Sequence, residues 1–197
     1  LTNYVENQWF EVLPKLWVLP ILLPHDAVPT FGFRIEWRHQ PELTIAMGYL
    51  SDIGVATTNL IPTIGEVDLL ALEFNHDLNM LRASRRPASV ISRIRSHQGH
   101  LSNIQAAAFT HALVQRWGSS KLQYLIQLHL SRDCNLPGSA TATASQTLEN
   151  LSPQTRLVTA HQDFPTITSI LVPKSTSLSG STMRLTSRSI QPVLPGM

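Results

Sequence analysis

Leu72-Glu73-Phe74-Asn75-His76-Asp77 and Gly99-His100-Leu101-Ser102-Asn103 bound the stretch around which this chain is organised. Val67 to Leu72 is an apolar run of strand length that leads into the first segment. Ser102-Asn103-Ile104-Gln105 is a capping-box pattern that starts a helix after the second. A buried strand that ends in polar residues, with a histidine at a helix start nearby, is how α/β proteins build a site.

Similar strand-then-polar units flank this stretch. Leu16 to Leu23 is expected to be a buried strand ending in Pro24-His25-Asp26-Ala27. Phe31 to Trp37 alternates apolar and polar residues, as a half-buried strand does. Leu43 to Leu50 is a further strand, ending in Ser51-Asp52-Ile53-Gly54. A short helix broken at Pro62 is expected within Thr57 to Ile64, and Val67 to Phe74 is the next strand. Leu78 to Arg82 and Ala88 to Arg95 are helical pieces, the second following Pro87. Ser102 to Trp117 is the clearest helix, with Ile104, Ala107, Ala108, Ala112 and Leu113 as its expected inner face and Gly118 as its stop. Leu122 to Leu130 is a strand ending in His129-Leu130-Ser131. Pro137 to Ser145 is expected to be a loop leading to a helix at Gln146 to Leu151, with last strands at Arg156 to Ala160 and Thr166 to Val172. Ser and Thr dominate from Lys174 onward, so residues 1–173 are expected to form the domain and 174–197 a disordered tail.

The chain has 197 residues, enough for one sizeable core. Its net charge of +2 does not by itself declare a nucleic-acid binder. The charge is uneven, however: Arg82, Arg85, Arg86, Arg93 and Arg95 fall together with no acid among them. The single cysteine, Cys134, excludes an intrachain disulfide framework and fits a reducing, cytoplasmic compartment. No apolar run reaches transmembrane length, so no membrane partner is expected. The chain starts at Leu1 without an initiator methionine or a signal-peptide pattern, and is expected to begin within a longer protein.

Four strands thus end in a potential ligand or acid/base group: His25, Asp52, His76 with Asp77, and His129. Neutral imidazole and carboxylate are the donors that zinc, manganese or iron takes, and they point to a metal site. They are scattered through the chain, so local spacing alone does not decide for ligation over unrelated polar strand ends.

Taken in order, these segments together with Gly32-Phe33-Arg34-Ile35 resemble the metallo-β-lactamase-fold hydrolases, nearest to the phosphoribosyl cyclic phosphodiesterase and ribonuclease Z branch. The resemblance spans about residues 10 to 172. It implies an α/β architecture, a four-layer αββα sandwich, of which this N-terminally truncated chain carries mostly the second half. It also implies two divalent metal ions, with zinc first and manganese or iron as alternatives. Under it His25 completes one metal site, Asp52 bridges both metals, and His129 is the last histidine of the other. His100 stands where relatives place a proton donor to the leaving oxygen, and His76 and Asp77 at the rim of the site. The implied reaction is hydrolysis of a phosphodiester, in a small molecule or a nucleic acid. The signature His-x-His-x-Asp-His is absent from this sequence, so the chain alone is expected to hold metal poorly and to be an incomplete, inactive fragment of the enzyme.

Two other readings compete. One is a remnant that keeps the fold without catalysis. The other is a nucleic-acid-binding module built on the arginine cluster, since guanidinium forks match phosphate oxygens. The plain alternative for that cluster is a solvated helical face.

Overall fold

A computed structural model describes residues 5–27, 29–40 and 43–166. Its strands are β1 (Phe10–Leu13), β2 (Leu16–Leu22), β3 (Phe31–Gln40), β4 (Leu43–Leu50), β5 (Leu69–Glu73), β6 (Tyr124–Leu128) and β7 (Arg156–Thr159). They form one sheet in chain order. β1 to β4 pair antiparallel and β4 to β7 parallel. Because β2 and β4 both oppose β3, they run in the same direction as β5 and β6. The carboxyl ends of all four therefore reach one edge of the sheet, the edge where α/β proteins place their chemistry. β5 lies inside the sheet between β4 and β6 and is buried at every position, which is why it lacks the alternation that marks β3.

The helices are α1 (Leu60–Ile64), α2 (Leu78–Ala83), α3 (Ala88–Ile94), α4 (Asn103–Trp117) and α5 (Pro137–Leu151). The main core joins Leu50, Leu70, Leu72 and Leu125 of the sheet to Ile64 of α1, Phe109 and Leu113 of α4, and Ala140, Ala144 and Leu148 of α5. Each fully buried leucine contributes roughly 1.5–3 kcal/mol by leaving water. The opposite face carries Leu69, Ala71 and Tyr124, with Met47, Tyr49, Ile126, Leu128 and Val158 only partly covered. The described residues thus supply one sheet and one helical layer of the expected four-layer sandwich.

Several expectations are corrected. Pro62 does not break α1: it is the third helical residue, where the amide it lacks would have had no partner anyway. The small-residue run 137–145 is helical rather than a loop, and it continues unbroken into 146–151. Pro137 sits at its start, and Ala140, Ala144 and Leu148 give it a narrow apolar stripe at four-residue spacing. The inner face of α4 is Asn103, Ala106, Ala107, Phe109, Thr110, Leu113 and Val114, so Ile104 is exposed (61%) and Ala108 faces out. The buried amide pair of Asn103 and Asn135 sets that rotation, with contacts of 2.9 and 3.0 Å. The Ser102–Gln105 capping box forms as the sequence indicates. The expected strand beyond Thr166 and the tail from Lys174 lie outside the described residues.

Candidate metal centre

Three of the loops that form the site are stitched together through their backbones. Asp26 N donates to Gln98 O (2.9 Å) and Gly54 N to Pro24 O (2.8 Å), which join the loops after β2, after β4 and before α4. Their approach is close enough that a Cβ on Gly54 would lie 2.3 Å from His97 O, and one on Gly99 2.1 Å from Ile94 O. On the other side the chain after β5 is laced to its neighbours: Asn75 N donates to Leu101 O, Ser131 N to Asn75 O, and Asn75 Nδ2 to His129 O. The organising stretch thus joins the loop of His100 to the loop of His129.

At the bottom lies Glu73, the last residue of β5, whose side chain has no exposed surface. Its Oε1 accepts from His100 Nδ1 (3.1 Å) and Leu101 N (3.0 Å). Its Oε2 accepts from Asp52 N (2.6 Å), His129 Nδ1 (3.0 Å) and, more distantly, Ile53 N (3.4 Å). Burial pushes this carboxyl upward, but the bonds from His100 and His129 outweigh it and hold it below the ordinary glutamate value. In turn the bond to Glu73 raises His129 above its ordinary value, against the opposing effect of burial.

Around Glu73 the structure brings together His25, Asp52, His100 and His129. The His25 and His100 rings are 4.9 Å apart, and those of His100 and His129 5.1 Å. Asp52 Oδ1 lies 3.5 Å from His129 Nδ1, 3.8 Å from His25 Nε2 and 3.9 Å from His100 Nδ1. Exposure of the side chains rises from 8% at His25 and 19% at His100 to 38% at His129 and 43% at Asp52, so the site opens to solvent on the Asp52–His129 side. Asp52 and His129 both adopt left-handed backbone, with φ of 58° and 56°. That conformation costs a non-glycine residue about 1 kcal/mol and here turns the strand-end side chain toward the site.

Asp52, Glu73, His100 and His129 each offer a donor atom, all within 4.8 Å of one another, a grouping that suits a divalent metal ion. Glu73 is the least available of the four, because both of its oxygens already accept hydrogen bonds. His25 fits ligation well: Nδ1 donates to Gly99 O (2.9 Å), which leaves the lone pair of Nε2 facing Asp52. One carboxylate and neutral imidazoles are a sufficient set for one ion and too few for two.

The resemblance implied a place at the rim of the site for His76 and Asp77. Asp77 caps α2, its carboxylate accepting from Asn79 N and Met80 N. His76 is 1% exposed, and neither ring nitrogen has a partner among the described residues. Its backbone pairs with Ser102, and Asn103 N donates to His76 O. Glu73 is the functional residue that sequence reasoning passed over. Its only signal was an acid placed between Leu72 and Phe74 in an otherwise apolar run, and Asp68 in the same run is a structural residue that accepts from Ala46 N.

No family model matches the chain. It is 30% identical over 125 residues to the exodeoxyribonuclease YycJ of Bacillus anthracis, an alignment covering 64% of this chain and 44% of that protein. Among solved structures it resembles the metallo-β-lactamase fold protein YhfI from Bacillus subtilis, with a TM-score of 0.56 and 15% identity over 82% of this chain and 53% of that one. It also resembles zinc-bound PqqB from Methylobacterium extorquens, with a TM-score of 0.54 and 17% identity over 85% of this chain and 55% of that one. The chain spans about half the length of these relatives. Sheet order, the site at the carboxyl ends of the strands and these likenesses agree: the chain has the metallo-β-lactamase fold.

Proposed function

We propose that the intact protein is a metal-dependent phosphodiester hydrolase, and that residues 1–173 form part of its catalytic domain. The observation that carries this reading is the convergence of His25, Asp52, His100 and His129 on one sheet edge above a buried glutamate. The likeness to an exodeoxyribonuclease and to a zinc-bound protein of the same fold supports a nucleic-acid substrate and zinc as the ion. Two ions are proposed, with His25 and His129 on different ions and Asp52 between them, the remaining ligands coming from outside this chain.

The chemistry such ions supply is Lewis acidity toward a phosphoryl oxygen and a water of lowered pKa. The chain's own groups do the rest. Glu73 fixes the tautomer of His100, because its carboxylate takes the Nδ1 proton's hydrogen bond. Nε2 is then the ring atom free to exchange a proton with a leaving oxygen. Glu73 also holds His129 and the backbone of Asp52, so one buried carboxylate sets the spacing of three site residues.

The test is zinc binding to the full chain, followed by calorimetry and by thermal unfolding, with Asp52→Ala and His129→Ala as controls. Wild-type chain is expected to gain thermal stability as zinc is added, and each variant to lose most of that gain. Turnover of bis(4-nitrophenyl) phosphate by the longer gene product, abolished by chelation and restored by zinc, completes it. Zinc binding that is indifferent to both substitutions rules the reading out.

A further inference from the structure

The arginine-bearing segment between the two site loops has a fixed relation to the metal centre. From Asp77 to Asp133 the chain contains no acidic residue, although its overall net charge is only +2. Within that span the α2–α3 segment is anchored at two points. Arg93 pairs with Asp26, whose Oδ1 is itself 3.4 Å from His25 Nε2. Arg86 Nη2 pairs with Asp133 Oδ2 at 2.8 Å, in the loop that follows His129. The segment thus bridges the loops of the two outer histidines, and His100 N is bonded directly to Ile94 O (2.9 Å).

Anchoring uses two of the five arginines. Arg82, Arg85 and Arg95 are exposed and have no ion-pair partner among the described residues, and Arg86 Nε has no acceptor. Three unneutralised guanidinium groups on a tethered flank offer charge for several phosphates beyond the site, whereas a mononucleotide-sized diester in the site would meet only the metal centre. A solvated helical face alone would not require both anchor arginines to join the two site loops.

We infer that Arg82, Arg85 and Arg95 form a track for the phosphate backbone of a polynucleotide whose scissile diester lies at the metal centre. The substrate is then a strand several nucleotides long, held beside α2 and α3. Arg86 and Arg93 are positioning residues that keep the track against the site. This rests on the hydrolase reading for the location of the scissile bond, but the backbone contacts themselves need no catalysis.

The experiment is fluorescence anisotropy of a labelled single-stranded 12-mer DNA on the full chain, from 50 to 200 mM KCl. Three variants are compared with wild type: Arg82→Ala/Arg85→Ala/Arg95→Ala, the same three positions changed to Lys, and Arg93→Gln. Three phosphate contacts contribute about −2 to the slope of log affinity against log salt, an approximately 20-fold loss over this range. The alanine triple variant is expected to lose that dependence and the lysine triple to keep it. RNA and duplex DNA of equal length report whether the backbone alone is read. An alanine triple with the wild-type salt slope overturns the proposal. So does binding to phosphatidylglycerol vesicles through these arginines with no oligonucleotide binding. Turnover of bis(4-nitrophenyl) phosphate by the longer product separates the two readings. Its retention in the alanine triple supports the track, and its absence from wild type, with arginine-dependent DNA binding intact, removes the hydrolase reading and leaves the track standing.

Discussion

Replacing Glu73 by Gln changes one carboxylate oxygen into an amide NH2 at the bottom of the site, with almost no change in shape. Each oxygen of Glu73 serves one imidazole and at least one backbone amide: His100 and Leu101 on Oε1, His129 and Asp52 on Oε2. An imidazole facing the new NH2 can switch tautomer and accept. A backbone N–H cannot, so Leu101 N or Asp52 N is left buried against another donor. One such orphaned group costs about 1–3 kcal/mol, and weakening the charge-assisted bonds adds a comparable amount. The total of about 3 kcal/mol lowers the thermal midpoint by on the order of 10 °C. The pH dependence changes as well. Glu73 is held below its ordinary value, so its contribution is present above about pH 4.5 and lost as pH falls. His129 is raised, so its contribution is present below about pH 6.5 and lost as pH climbs through the elevated value. Thermal melts of chelator-treated wild type and E73Q across pH 3 to 9 measure both flanks, and the imidazole proton resonances of His129 report its titration directly. Glu73→Gln should flatten the curve and return His129 downward. An unchanged midpoint together with an unchanged His129 titration would refute the argument that Glu73 holds the site.

Other perturbations test separate parts of the structure. His76 is pushed down to about 4 from 6.5, chiefly by burial, so its contribution is lost as pH falls from 6.5 toward 4, by roughly 3 kcal/mol; His76→Leu should remove that part of the acid sensitivity in denaturant titrations at pH 7 and 4.5. Gly99→Ala drives a methyl into the Ile94 and Arg93 carbonyls and must shift the loop before His100; equilibrium unfolding should show a loss of at least 2 kcal/mol, of the size of overpacking a core. Asn135→Ala orphans the Asn103 side chain and the Phe74 carbonyl, and should cost about 2–4 kcal/mol in urea unfolding. Val90→Ala, on a half-buried position of the short helix α3 outside the core, should change stability by less than about 1 kcal/mol in the same assay.

Much of this architecture is local in origin and could be taken from the chain itself. Strand length, alternation in β3, the Ser102–Gln105 box and the strand-end residues His25, Asp52 and His129 all express preferences that operate over a few residues. Where neighbours along the chain did not suffice, the reading strayed. Small residues at 137–145 read as a loop because alanine, serine and threonine alone carry little apolar signal; packing against α4 and the sheet makes them a helix. Ile104 looked like core because it is the most apolar residue of its turn, yet the Asn103–Asn135 amide pair turns it outward. Glu73 read only as one more residue of the strand Val67 to Phe74, because sequence carries no record of the burial that makes its carboxylate the floor of the site. The sequence by itself determined which residue types stand at the strand ends and in what order. Only tertiary structure decided that Asp52, His100 and His129 share one buried carboxylate with His25 beside them, because those contacts join residues 21 to 74 positions apart and exist only once the strands align their carboxyl ends.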